Sequence, residues 1–137
     1  MQTLALIALG AAALLAVAFG VRYVLTREFM PYHATVLGRP WSQLDSRLQT
    51  IILGMLKVAG GSLLGYGIAL LWLLLPLQRG EAWAAWAALT MSIAALAPIV
   101  YTVVWLRRIE PSAKTPVIPS IAVLVLVVLG STIFLMD

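Results

Sequence analysis

One basic side chain, Lys57, stands inside an otherwise uncharged apolar stretch of this 137-residue chain. A charge in such surroundings is expensive, and an intramembrane ionisable residue is by default a functional candidate. Its ammonium could pair with the carboxylate of Glu28 or Asp45, or be offered to an anionic ligand. The bland alternative is snorkelling, in which the long stem reaches back to the membrane surface. Gly60 and Gly61 nearby would let a ligand or a helix come close. A second group lies upstream, where Tyr32 and His33 are followed by Arg39 and Trp41. Tyr32 and His33 are the one adjacent pair with proton-transfer chemistry, and they could also contact a quinone-like headgroup. A lone interfacial histidine equally serves as a plain hydrogen-bonding residue. Lys57, His33, Tyr32, Trp41 and Arg39 are therefore the candidate ligand-binding residues.

The missing residue types narrow the chemistry. The chain has no cysteine and one histidine. Disulfides, thiolate metal sites and bis-histidine haem ligation within one chain are excluded, and no metal or cofactor is expected. No Asp or Glu falls within an apolar stretch, whereas proton- or cation-coupled carriers usually rely on one. A Schiff base on Lys57 would lack a buried counter-ion. Ser62, Ser92, Ser120 and Ser131 have no histidine–carboxylate set to activate them, so they read as helix–helix hydrogen-bonding residues. No catalytic residue is assigned.

These side chains hang on four uncharged runs: Met1–Val21, Val58–Gln78, Ala82–Leu106 and Thr115–Met136. A bilayer crossing takes about 20 apolar residues. Mean hydropathy is +1.04, and 10% of residues are charged. Backbone groups in hydrocarbon must bond internally, which leaves helices or a closed barrel. Barrel strands are about 10 residues long and alternate in polarity; these runs are longer and do not alternate. The expectation is an all-α, integral membrane four-helix bundle, one transmembrane domain over 1–137. Its spans run about 2–24, 48–76, 82–106 and 117–136, with an interfacial segment at about 27–42 between the first two. The first span lacks the basic n-region of a signal peptide and reads as retained.

Charge asymmetry predicts orientation. Arg22, Arg27, Arg39 and Arg47 fall in loop 1, and Arg107, Arg108 and Lys114 in loop 3. The positive-inside rule puts both loops in the cytoplasm and both termini outside. Trp72, Trp83 and Trp86 on one side, and Tyr23, Tyr32, Trp41, Tyr101 and Trp105 on the other, suit interfacial belts. The net charge of +4 flanks apolar runs, so it points to lipid rather than nucleic acid. A composition without asparagine and rich in Ala, Leu, Gly and Arg suggests a bacterial source, hence an inner membrane.

Small residues four apart let membrane helices approach closely. Ala8, Ala12, Ala16 and Gly20 form such a stripe in the first span. Gly61, Gly65 and Ala69 form one in the second, with Gly54 one heptad before Gly61, and Ala84, Ala88 and Ser92 form one in the third. The three stripes are expected to face one another, so leucine at Gly61 or Gly65 should break folding or assembly. The fourth span, crowded with Val, Ile and Leu, reads as the most lipid-exposed. Pro98 should kink the third. Ser42, with Asp45 three residues on, looks like an N-cap, starting a helix of about 33 residues near Gln43 and roughly 50 Å long.

The run Leu56-Lys57-Val58-Ala59-Gly60-Gly61-Ser62-Leu63-Leu64-Gly65-Tyr66-Gly67-Ile68-Ala69-Leu70-Leu71, a basic residue, then glycines, then an apolar tail, resembles the second span of small bacterial DoxX-like membrane proteins. The resemblance covers that helix and the four-span layout. It implies a compact four-helix membrane bundle and carries no functional residue with it. The function expected is that of a non-catalytic membrane protein, an accessory subunit or a binder of a small ligand or lipid, with a membrane-protein partner or a second copy as company. The alternative is an oligomeric channel or carrier for a small anionic or hydrophobic solute, using Lys57.

Overall fold

The computed structural model describes residues 1–137 and contains helices and no strands. The four long helices are α1 (Gln2–Leu25), α3 (Ser46–Gln78), α4 (Ala82–Ile109) and α5 (Val117–Met136), and a short α2 (Pro31–Leu37) follows α1. Each long helix is long and apolar enough to cross a bilayer. With 33 residues, α3 is about 50 Å long at 1.5 Å per residue, well beyond the roughly 30 Å of a hydrocarbon core.

Consecutive long helices run antiparallel, and α5 closes the ring against α1. Gly20 faces Gly60 and Leu64 while Gly67 faces Ala13 and Val17, so α1 descends as α3 climbs. Gly130 of α5 likewise sits on Ala5 and Leu9. One end of the bundle therefore gathers both termini and the α3–α4 turn. There, Gln2 Nε2 donates to the Leu77 carbonyl at 2.9 Å, and the Met1 amino group lies 3.5 Å from Asp137. The other, basic end gathers α2 and the α4–α5 connection.

The core is built of small residues. Ala5, Ala12, Ala13, Ala84, Ala85 and Ala88 are fully buried, around Leu9, Leu70 and Val127. Large apolar side chains point outward instead: Val58, Ile118 and Tyr101 are each at least 70% exposed. One polar link crosses this core. Ser92 Oγ donates to the Ala88 carbonyl at 2.5 Å, so the Tyr66 hydroxyl, 2.7 Å from Ser92 Oγ, must be the donor in that bond.

Several expectations are corrected. Ala12, Ala16 and Gly20 of α1 and Ala84, Ala88 and Ser92 of α4 are buried, but Gly54, Gly61 and Gly65 are exposed, with nothing within 4 Å of a Cβ placed there. Gly60 and Gly67 form the seam with α1 instead. The α5 helix is not peripheral: it lies between α1 and α4 and buries Val123, Val127, Gly130 and Ser131. Ser42 caps nothing; it falls in a 3₁₀ turn, Trp41–Gln43. Asp45 is the N-cap of α3, its Oδ1 accepting from the Arg47 N–H at 2.9 Å and the Leu48 N–H at 3.4 Å. The extended Leu44 separates the 3₁₀ turn from the cap of α3, so the helix cannot start at Gln43. Pro98 lies inside an α4 that continues to Ile109.

Candidate functional site

Pro31 opens α2, where a fixed φ and a missing N–H do no harm. His33 then closes the first turn: its Nδ1 accepts the Met30 N–H at 3.1 Å. That bond requires an unprotonated Nδ1, and burial pushes the His33 pKa below its ordinary value of 6.5. A base whose folded pKa is lowered stabilises the fold fully above the unfolded value and loses that contribution as pH falls through the lowered one. Gly38, at φ 64°, ends α2 in the left-handed conformation that glycine adopts most easily.

Aromatic rings hold this segment down. Phe29, 5% exposed, meets His33 edge-on at 5.9 Å and Trp41 at 5.0 Å between centroids. Tyr32 lies 4.1 Å from His33. The Trp41 carbonyl accepts from Gln49 Nε2 at 2.8 Å, tying the segment to α3. Tyr32, His33 and Trp41 thus come together, as parts of a clasp between α1 and α3. Arg39 is exposed beyond Gly38 and stands apart from them.

Lys57 does not pair with Glu28 or Asp45. Its Nζ donates to the Val24 carbonyl at 2.8 Å, one of the last carbonyls of α1 that have no intrahelical partner. A cation at a helix C-terminus also suits the macrodipole. The side chain is exposed on the outside of the bundle, where its stem reaches back to the end of α1.

The feature that sequence inspection missed is Tyr23. Its hydroxyl lies 2.9 Å from that of Tyr32, and Tyr23 lines three adjoining cavities. The first, of about 50 Å³, lies among all four long helices and is lined by Ala16, Leu63, Leu96, Ile99 and Val123 among others. The second, of about 280 Å³, lies between α3 and α4 against Ala59, Leu63, Pro98, Ile99 and Thr102. The third, of about 250 Å³, opens at the basic end between Phe19, Arg22, Met30, Tyr32, Lys114 and Pro116. Tyr23 and Tyr32 together form the wall between the second and third. Desolvation by burial, then the hydrogen bond to Tyr23, pushes the Tyr32 pKa well above the usual tyrosine range, so its hydroxyl stays protonated. Lys57, His33, Trp41 and Arg39 line none of these three cavities.

The one sequence signal for the site is the placement of Tyr23 and Tyr32 on either side of the Pro31 turn. Arg22 and Lys114 carry no such signal, because they are far apart in the chain. No protein-family model matches this chain, and no curated protein or solved structure is significantly similar to it.

Proposed function

We propose that this is an integral membrane protein that binds a small amphiphilic or apolar ligand without chemical turnover. Membrane residence is supported by an inverted surface. Alanines fill the interior while Leu, Ile and Val are exposed around the perimeter, well beyond the isolated apolar patches of a soluble monomer. Membrane helices associate in this way, through small residues at their contacts. The basic end, with Arg22, Arg27, Arg39, Arg47, Arg107, Arg108 and Lys114, is then the cytoplasmic one, and an inner bacterial membrane fits the composition. The resemblance to DoxX-like proteins implies such a four-helix layout, and no site residue is taken from it.

The observation that carries the ligand-binding reading is the position of Tyr23, whose side chain is common to three cavities. Bound ligand sites are concave and mostly apolar, with a few converging polar groups; here the polar groups are the two tyrosine hydroxyls and the cations at the mouth. Mass spectrometry of the chain purified in mild detergent tests it. Wild type should retain a defined lipid or small molecule. Ala59→Trp, placed at an exposed position lining the α3–α4 cavity, should release it while the fold is kept. Equal retention in both proteins would refute the assignment.

A second reading, a subunit of a larger or self-associated membrane assembly, is favoured by the bare outer face of α3. Gly54, Gly61 and Gly65 leave that face open. Native mass spectrometry gives the stoichiometry directly, and a strictly monomeric chain in native lipid would exclude it.

A further inference from the structure

We propose that the cavity between Arg22 and Lys114 holds the anionic headgroup of a membrane amphiphile, a phosphate or carboxylate, with the apolar chain passing Tyr23 toward Leu63 and Ile99. This rests on the ligand-binding reading above and adds the charge and the orientation of the ligand. Arg22 comes from the last turn of α1 and Lys114 from the α4–α5 connection, yet both line one cavity of about 250 Å³.

Neither cation is neutralised. The one ion pair in the chain joins Met1 and Asp137 at the other end of the bundle. Glu110, the carboxylate of the same connection, is taken up by Ser112, whose N–H and hydroxyl both donate to Oε1 at 3.1 and 2.5 Å. Two like charges facing one concavity without a counter-ion raise the local potential and concentrate anions there. The arginine fork matches phosphate or carboxylate in a bidentate way, and lysine adds a compact charge. Tyr23 and Tyr32 contribute as well. One hydroxyl donates to the other, which leaves the second O–H free for an outside acceptor.

Past the tyrosine pair the surroundings change at once. Leu63, Ile99 and Val103 line both the small cavity among the four helices and the more open one between α3 and α4. A free inorganic anion would satisfy the cations but leave this apolar continuation unused. An amphiphile matches the whole order, from cation to hydroxyl to hydrocarbon.

The full chain in neutral detergent would be titrated with phosphatidylglycerol, phosphatidylcholine and inorganic phosphate, with bound species counted by native mass spectrometry. The expected result is phosphatidylglycerol held about tenfold more tightly than phosphatidylcholine, a difference of about 1.4 kcal/mol, with phosphate unable to displace it. The double variant Arg22→Gln/Lys114→Gln should lose that preference, keep its weaker phosphatidylcholine binding and keep its Tm. Arg79→Gln, at the other end, should behave as wild type. An undiminished preference in the double variant would overturn the proposal, as would displacement by phosphate. If Ala59→Trp weakens both lipids while the double variant changes nothing, the ligand-binding reading stands and the headgroup assignment falls. If wild type holds neither lipid, both fall.

Discussion

Gly60 and Gly61 are neighbours in the chain and have different surroundings. A Cβ at Gly60 would sit 2.8 Å from Tyr23 Cβ and from the Val24 nitrogen, whereas one at Gly61 would meet nothing within 4 Å. The same contrast separates Gly67 from Gly65. The inner face of α3 is a backbone-to-backbone contact with α1, closed across it by Gly20. Its outer face is equally rich in glycine and touches nothing in this chain. Glycine content therefore says that a helix can be approached closely. The rotation of the helix decides where.

The contrast can be broken most sharply at Gly67. An alanine there would put its Cβ 2.7 Å from Val17 Cγ2 and 2.9 Å from the Ala13 oxygen. Backbone cannot rotate aside, so α1 and α3 must part, at a cost of about 1–3 kcal/mol or more. Thermal unfolding of the purified chain should show a marked fall in Tm, and Gly20→Ala should do the same. An unchanged Tm in both would erase the distinction between the two faces.

Tyr66, next to Gly67, tests the inner face on its α4 side. Tyr66→Phe removes the buried bond to Ser92 but leaves Ser92 on the Ala88 carbonyl. A loss of about 1 kcal/mol is expected, the size found for interhelical hydrogen bonds in membrane bundles. A loss as large as that at Gly67 would mean that polar contact, rather than close approach, dominates the seam.

Lys57 reaches across from α3 to the end of α1, so its removal probes the margin between the two faces. Lys57→Met should cost about 0.3–1 kcal/mol, the usual worth of a cation at a helix C-terminus. Hydrogen exchange should quicken over the last turn of α1 and nowhere else. Protection unchanged there would discount the bond to Val24. The smallest effect is expected on the outer face, where Gly61→Ala or Gly65→Ala should raise stability by about 0.5 kcal/mol through helix propensity. If either variant instead shifts the stoichiometry seen by native mass spectrometry, the outer face is covered by another chain.

Much of the helical layout was legible in the residues. The spans expected are 2–24, 48–76, 82–106 and 117–136, and the helices observed begin and end within three residues of these limits. The clasp was legible as a segment, since Tyr32, His33 and Trp41 stand out between two apolar runs. Its chemistry was not: whether His33 could move a proton or caps a helix depends on the Met30 N–H beside it. The start of α3 was misplaced because Ser42 and Asp45 are both good capping residues, and the 3₁₀ turn at Trp41 decided between them. Tyr23 looked like one more interfacial aromatic. Nothing local distinguishes it from Tyr101, which is exposed on α4.

The sequence by itself determined that there are four long helices, where they stop, and that one end of their bundle is basic. Those properties follow from local hydropathy and from the position of charges along the chain. Only the tertiary structure decided which faces meet. A soluble helix advertises its buried side by alternating polar and apolar residues at the helical period. These helices are apolar on all sides, so their sequences carry almost no phase. Gly60 and not Gly61, Arg22 with Lys114, and Tyr23 as a common wall emerge only when small residues are packed against real neighbours.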